Sequence, residues 1–216
     1  MSASPTAPTT AELFDVRERA RIVEAARAMC LRQGIPVSWA ADLARHLRMP
    51  EHAVRRWFAA LPQLVEAVVT THAALVQTEL QSHQQRYSTA VEELLALRNW
   101  VNAELQNNTG PFFEQLERDF PAEHQRWQVQ MRTFPVAHLR ANLQQGVQQG
   151  LYHPDLDVEA RVTEWFAQFD ALPVSGAAQA SAAERHATLL NAFIASIVTP
   201  AGALVARRLQ EAAPYY

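Results

Sequence analysis

The residues best placed to do chemistry lie in one short run, Glu51-His52-Ala53-Val54-Arg55-Arg56-Trp57-Phe58. Val54 and Phe58 are four apart, and residues four apart share one face of a helix. That face is apolar, which leaves Glu51, His52, Arg55 and Arg56 for solvent. Adjacent arginines on an open helical face suit nucleic acid. A guanidinium reads guanine through a bidentate bond to O6 and N7, and it also grips phosphate oxygens. Either arginine could be the base reader. Glu51 has three readings: it could accept from cytosine N4, orient an arginine, or compensate the helix dipole at an N-terminus.

The rest of the chain offers little to catalysis. The eight histidines and the lone Cys30 give no His-x-x-x-His or Cys-x-x-Cys spacing for zinc. There is no Glu-x-x-His pair of the kind that helical di-iron sites use. Neither a glycine-rich phosphate loop nor a Gly-x-Ser-x-Gly elbow is present. The sequence is therefore read as a non-enzyme with no metal and no cofactor. Cys30 reads as a small core hydrophobe.

Positioning the 51–58 run takes three elements. Ile22, Ala25, Ala26, Met29 and Cys30 recur at helical spacing, and Gly34 is a natural stop because it accepts positive φ. Ser38 can cap a short second helix carrying Ala41, Leu43, Ala44 and Leu47. A tight turn at Arg48 and Met49 leads to Pro50, which suits the start of a third helix. Two short helices on so short a turn, braced by a longer one, form a helix-turn-helix candidate.

With those residues in place, the stretch from Arg19 to Leu64 resembles the DNA-binding domain of the TetR/AcrR family of bacterial regulators. Ile22, Ala25, Ala26, Gly34, Ser38, Leu43, Ala44, Val54, Phe58 and Leu64 match the family pattern without a gap. The chain departs from it at Cys30, Arg48, Pro50, Arg55, Trp57 and Leu61, where the family favours Phe, Gly, Ser, Tyr, Tyr and Lys. The resemblance implies an all-α fold. Residues 1–15 would be a disordered tail, 16–62 the helix-turn-helix domain and 63–216 a helical ligand-binding and dimerisation domain. It implies DNA contacts by Ser38, Arg45, Trp57 and Ala60 at phosphates. Those join the recognition-helix candidates Glu51, His52, Arg55 and Arg56. Arg48 occupies the glycine position of the turn. It costs about 1 kcal/mol if its φ is positive, or else the turn has another shape, and its charge could meet a phosphate.

Charge along the chain agrees with such a reader. All nineteen basic residues are arginine, and the net charge is −3. Residues 1–60 hold nine arginines against six acids, while the remainder is acidic. A basic head on an acidic body is the expected electrostatic footprint of DNA binding.

Beyond Leu61 the chain reads as helix almost throughout, with 172–182 a small-residue loop and helices near 183–198 and 201–212. Pro135 marks an expected kink. The phrase Gly150-Leu151-Tyr152-His153-Pro154-Asp155 resembles one found in many TetR-type effector domains. Its glycine can end one helix, and Asp155 or Asp157 can cap the next. Trp100, Phe112, Phe113, Trp127, Met131, Trp165 and Phe169 could line an apolar pocket for a small apolar or aromatic effector, with His72, Asn102 or His138 orienting it. Val162, Phe166, Leu190, Phe193, Ile194 and Ile197 are expected at a homodimer seam, with Phe193 and Ile197 near its centre. No run is apolar enough to span a bilayer, and no leader pattern opens the chain, so a cytoplasmic location is expected.

These features predict a dimeric transcriptional regulator, a ligand-relieved repressor of a palindromic operator on double-stranded DNA. The substitutions at 48, 50, 55 and 61 motivate an alternative: a TetR-like ligand-binding or protein-interaction module that has lost specific DNA binding.

Overall fold

The computed structural model describes residues 10–107, 111–171 and 179–212. Among them lie ten helices in this order: α1 (Thr10–Gln33), α2 (Trp39–Leu47), α3 (Glu51–Trp57), α4 (Leu61–Arg86), α5 (Ala90–Asn107), α6 (Phe112–Asp119), α7 (Pro121–Gln148), α8 (Val158–Asp170), α9 (Gln179–Ile197) and α10 (Pro200–Ala212). The all-α expectation is met. Two boundaries differ from the sequence reading. Residues 10–15, read as tail, are the first turns of α1, and residues 179–182, read as loop, already belong to α9. Residues 1–9 and 172–178 of those two segments lie outside the described residues.

The first core is built from the periodic residues of α1 and closed by the two short helices. Ile22, Ala26, Met29 and Cys30 meet Leu43 and Ala44 of α2, Val54 of α3 and Phe58 just after it. Burial pushes the Cys30 thiol up to about 12, which leaves it an unreactive apolar group at neutral pH. The same core continues into Leu64, Val65, Val68 and Val69 of α4 and into Phe112 and Leu116 of α6. The apolar core of the head thus runs on into the first turns of α4 and the Phe112–Leu116 face of α6.

α6 also grips the head by hydrogen bonding. Gly34 ends α1 with φ +82, and the next amide, Ile35 N–H, donates to Gln115 Oε1 at 2.6 Å. A Cβ on Gly34 would lie 2.5 Å from that oxygen and displace the Gln115 amide, and the positive φ itself favours glycine.

A second core joins α5, α7, α8 and α9 through Val91, Leu94, Leu139, Leu143, Val162, Phe193, Ile194 and Ile197. The Gly150 phrase builds its floor. Gly150 takes φ +69 and turns the chain, so that Tyr152 is fully buried against Gly146. A Cβ on Gly146 would fall 2.1 Å from the Tyr152 ring. The tyrosine hydroxyl donates to Asn142 Oδ1 at 3.0 Å, and Asn142 Nδ2 donates to Glu93 Oε2 at 2.8 Å and to the Ala90 carbonyl at 2.9 Å. His138 Nε2 lies 3.0 Å from the other Glu93 oxygen. His138 thus faces a buried carboxylate rather than an open pocket. Asp157, one of the two expected caps, accepts from Ala160 N–H at 3.0 Å and starts α8. Thr89 caps α5: its hydroxyl accepts from Glu92 N–H while Glu92 accepts from Thr89 N–H. Pro135 lies inside α7, which remains one helix.

Candidate nucleic-acid interface

The geometry of the reading head follows from its turn. Arg48 sits at φ 55, ψ 44, the left-handed region that the glycine of the pattern would occupy without strain. Arg48 N–H donates to the Arg45 carbonyl and Met49 N–H to the Ala44 carbonyl at 3.0 Å, which ends α2 in the manner of a glycine stop. The turn therefore keeps its shape, and the arginine carries the strain. Pro50 follows in extended backbone, φ −66 and ψ 144, and α3 begins at Glu51. Pro50 precedes the helix rather than occupying its first position.

α3 buries Val54 fully and hands Phe58 to the same core. Its other faces stay open, with Glu51, His52, Arg55 and Arg56 exposed. The two arginines are held differently. Arg55 Nε donates to Glu51 Oε1 at 2.7 Å, and its guanidinium lies 5.4 Å over the ring of Trp39, the first residue of α2. Arg56 instead reaches toward Asp15 of α1 at 3.9 Å and lies 5.6 Å over the Trp57 ring. Arg45 is exposed and paired with Asp42 at 2.9 Å, and Arg48 is exposed. Ser38 starts α2 with no side-chain cap bond, so its hydroxyl does not satisfy the helix amides. Trp57 is half-buried against the first core. The structure thus brings Ser38, Glu51 and Arg55 together around one cleft of about 320 Å³, which Val37, Trp39, Ala40 and Ala41 complete. Arg45, Arg48, His52 and Arg56 lie outside that cleft's lining.

Sequence reasoning missed Trp39 and Asp15. Trp39 directly follows the expected cap, and a tryptophan there signalled only another apolar residue. Asp15 fell in the segment read as tail.

The effector candidates fall into separate groups of ring contacts. His72 stacks on Trp127 at 5.1 Å and 16°, with Phe113 5.2 Å from Trp127 and Phe112 set edge-on to Phe113. Met131 is half-buried one helical turn further along α7. Trp165 and Phe169 belong to a separate group on α8, where Trp165 meets Phe193 and Phe169 meets His186. Trp100 lies by His83. The sequence marked these residues as apolar but not which helices would bring them together. Within the first group, burial lowers the His72 imidazole to about 4, so it is neutral at physiological pH. Its Nδ1 is buried without a hydrogen-bond partner among the described residues. No group of His, Cys, Asp or Glu able to hold a metal occurs among the described residues. No single helix there is long and apolar enough to cross a membrane.

The residues expected at the dimer seam pack within the chain's second core. Val162, Leu190, Phe193, Ile194 and Ile197 are buried in the chain's own second core, with Ile197 at 0% exposure, and Phe166 packs on that core. The outward positions of α8 and α9 are instead Ala160, Thr163, Ala167, Ala192, Ala195 and Ser196, with charged and amide residues between them.

No family profile matches the chain, and neither does any curated protein sequence. Solved structures do. A transcriptional regulator from Cytophaga hutchinsonii superposes with a TM-score of 0.70 at 11% identity, over 84% of this chain and 99% of that one. A TetR-family regulator from Agrobacterium tumefaciens gives 0.65 at 17%, over 85% and 99%. A regulator from Saccharomonospora viridis, solved in complex with choline, gives 0.55 at 18%, over 85% and 99%. The fold is that of TetR-type regulators. In the TetR-type arrangement α1–α3 are the helix-turn-helix head and the helices from α4 onward the body. The likeness extends over nearly the full length of each neighbour.

Proposed function

We propose that this protein is a DNA-binding transcriptional regulator that reads a palindromic operator as a homodimer and is released by a small apolar or aromatic effector. One observation carries the reading: a helix-turn-helix whose turn keeps its geometry despite Arg48, and whose third helix presents two arginines on an open face. An intact turn removes part of the case for a decayed head, because position 48 was the departure most able to spoil it.

The expected contacts divide by type. The recognition helix enters the major groove with its N-terminal part toward base edges. Ser38 and the free amides at the start of α2 meet phosphate, as do Arg45, Arg48 and Trp57. Two heads on a two-fold axis read half-sites about 34–36 Å apart, or a multiple of that. The outward small-residue faces of α8 and α9 form the seam, where short side chains let two helices from each subunit approach closely.

Effector control works by population shift. One conformation spaces the two heads for DNA, and ligand binds another. The head and body are joined where such a shift is felt: α6 holds the end of α1 through Gln115 and Ile35 N–H, and Arg126 of α7 pairs with Glu66 of α4. The aromatic group around His72, Phe113 and Trp127 lies on the same three body helices. Its aromatic rings and the buried His72 Nδ1, which has no hydrogen-bond partner among the described residues, suit a small molecule carrying one hydrogen-bond donor. Two neighbours of this fold were solved with choline and with stearoyl-CoA, which supports a body that takes small molecules without indicating which one. Coupling is reciprocal, so DNA weakens effector binding by the factor by which effector weakens DNA binding.

The test is binding of the full chain to the DNA upstream of its own gene, titrated at several salt concentrations. Specific, salt-dependent binding that exceeds binding to unrelated DNA supports the proposal. Equal affinity for both overturns it in favour of a module without operator recognition.

A further inference from the structure

We propose that Arg55 reads a guanine in each half-site, that Glu51 and Trp39 position it, and that Arg56 grips the sugar-phosphate backbone. This rests on the operator-binding reading above and assigns what that reading leaves open, namely which arginine carries sequence information.

The assignment follows from where each guanidinium is held. Side chains on a helix lean toward its N-terminus, and Arg55 is drawn further that way. Its Nε donates to Glu51 Oε1 at 2.7 Å, one turn back, and its guanidinium lies over Trp39 at 5.4 Å. Trp39 is itself buried at 7% exposure, so it is a fixed platform. The charged group of Arg55 therefore sits level with the first turn of α3, the part of a recognition helix that meets base edges. Tying Nε to the carboxylate leaves the terminal Nη1 and Nη2 edge free, and that edge can donate two parallel bonds to guanine O6 and N7. Arg56 is drawn the other way, toward Asp15 of α1 and the ring of Trp57 at the end of α3. Its contact with Asp15, at 3.9 Å, is longer than a hydrogen bond, whereas Arg55 is held by one at 2.7 Å.

Glu51 has a second consequence. A carboxylate on a DNA-facing helix repels phosphate, so it lowers affinity for every sequence. Here it is tolerated because it orients Arg55 and is offset by that arginine's charge. Removing it therefore moves two properties in opposite directions: binding to unrelated DNA rises, and discrimination for guanine falls. A residue that merely stabilised the helix would lower both.

The experiment uses the full-length protein and an operator obtained by selection from random DNA. Affinity is measured for that operator, for versions with each G·C pair replaced, and for unrelated DNA, across salt concentrations. Arg55→Ala and Arg55→Lys should each lose about tenfold or more of the preference at one G·C pair per half-site and keep the preference elsewhere. Arg55→Lys should retain the salt slope, since the charge remains. Arg56→Ala should weaken all sequences alike and flatten the slope. Glu51→Ala should cut the guanine preference several-fold while raising affinity for unrelated DNA, and Glu51→Gln, which keeps an acceptor oxygen, should restore much of the preference. Circular dichroism of each variant excludes unfolding as the cause. If the wild type shows specific binding but Arg55→Ala keeps its guanine preference, or Arg56→Ala loses it, the assignment is wrong and operator binding stands. If the wild type selects no sequence at all, both readings fail together.

Discussion

Arg48 gives the sharpest test of the reading head, because one substitution there has two opposed effects. It is exposed and carries φ 55, ψ 44, the one positive φ among the described residues other than glycine. Left-handed backbone costs a residue with a Cβ about 1–2 kcal/mol. Glycine removes that cost but adds about 0.4–1 kcal/mol of freedom to the unfolded chain. Arg48→Gly should therefore stabilise the protein by roughly 0.5–1 kcal/mol, a rise of roughly 1–4 °C in Tm for a chain of this size. The same change should weaken DNA binding if the guanidinium meets phosphate. Each lost phosphate contact reduces the logarithmic salt slope by about 0.9, and a dimer loses two, so the slope should fall by about 1.8. The assay pairs thermal unfolding with DNA titrations at four or more salt concentrations. A lower Tm for Arg48→Gly would refute the left-handed turn, and an unchanged salt slope would refute the phosphate contact.

Other perturbations follow from the cores and the surface. Phe58→Ala empties a fully enclosed ring site shared by α1, α3 and α4 and should cost about 3–5 kcal/mol, loosening the head in hydrogen exchange while the body stays protected. Gly146→Ala places a methyl against the Tyr152 ring and should cost about 1–3 kcal/mol in chemical denaturation; a neutral result would mean Tyr152 does not occupy that slot. His72 is neutral in the fold with its imidazole lowered to about 4, so the unfolded chain binds the extra proton between about 4 and the ordinary 6.5. Stability should therefore rise with pH across that window and fall away as pH drops through it; His72→Gln should flatten this part of the pH–stability curve. Ala192→Glu with Ala195→Glu should give monomers by light scattering without unfolding the subunit, whereas a dimer indifferent to both would place the seam elsewhere.

Much of the head was legible because its signals are local. The spacing of Ile22, Ala26 and Cys30, the stop at Gly34 and the pair Val54 and Phe58 each depend on a few neighbours; the five apolar residues appear in the first core, and Gly34 ends α1 at φ +82. The same periodicity failed where the question was what a buried face packs against. Leu190, Phe193, Ile194 and Ile197 were read as a homodimer seam, and in the chain they pack on α5 and α8. The grouping of the aromatic residues was equally hidden: which of α4, α6, α7 and α8 come together is a property of helix packing that no single segment records. At the reading face, the four-residue spacing of Glu51 and Arg55 allowed their pairing. The contribution of Trp39 required α2 and α3 to be placed side by side. The φ of Arg48 was also out of reach, since sequence alone could not separate a strained glycine-type turn from a reshaped one.

The most direct measurement of the central claim is selection of bound sequences from random double-stranded DNA by the full-length protein. The account predicts enrichment of an inverted repeat whose half-sites lie about one helical turn apart or a multiple of it, each with a G·C pair at a fixed position, bound in a salt-dependent manner by two protein chains. Recovery of no common sequence, or of a motif without two-fold symmetry, would contradict it.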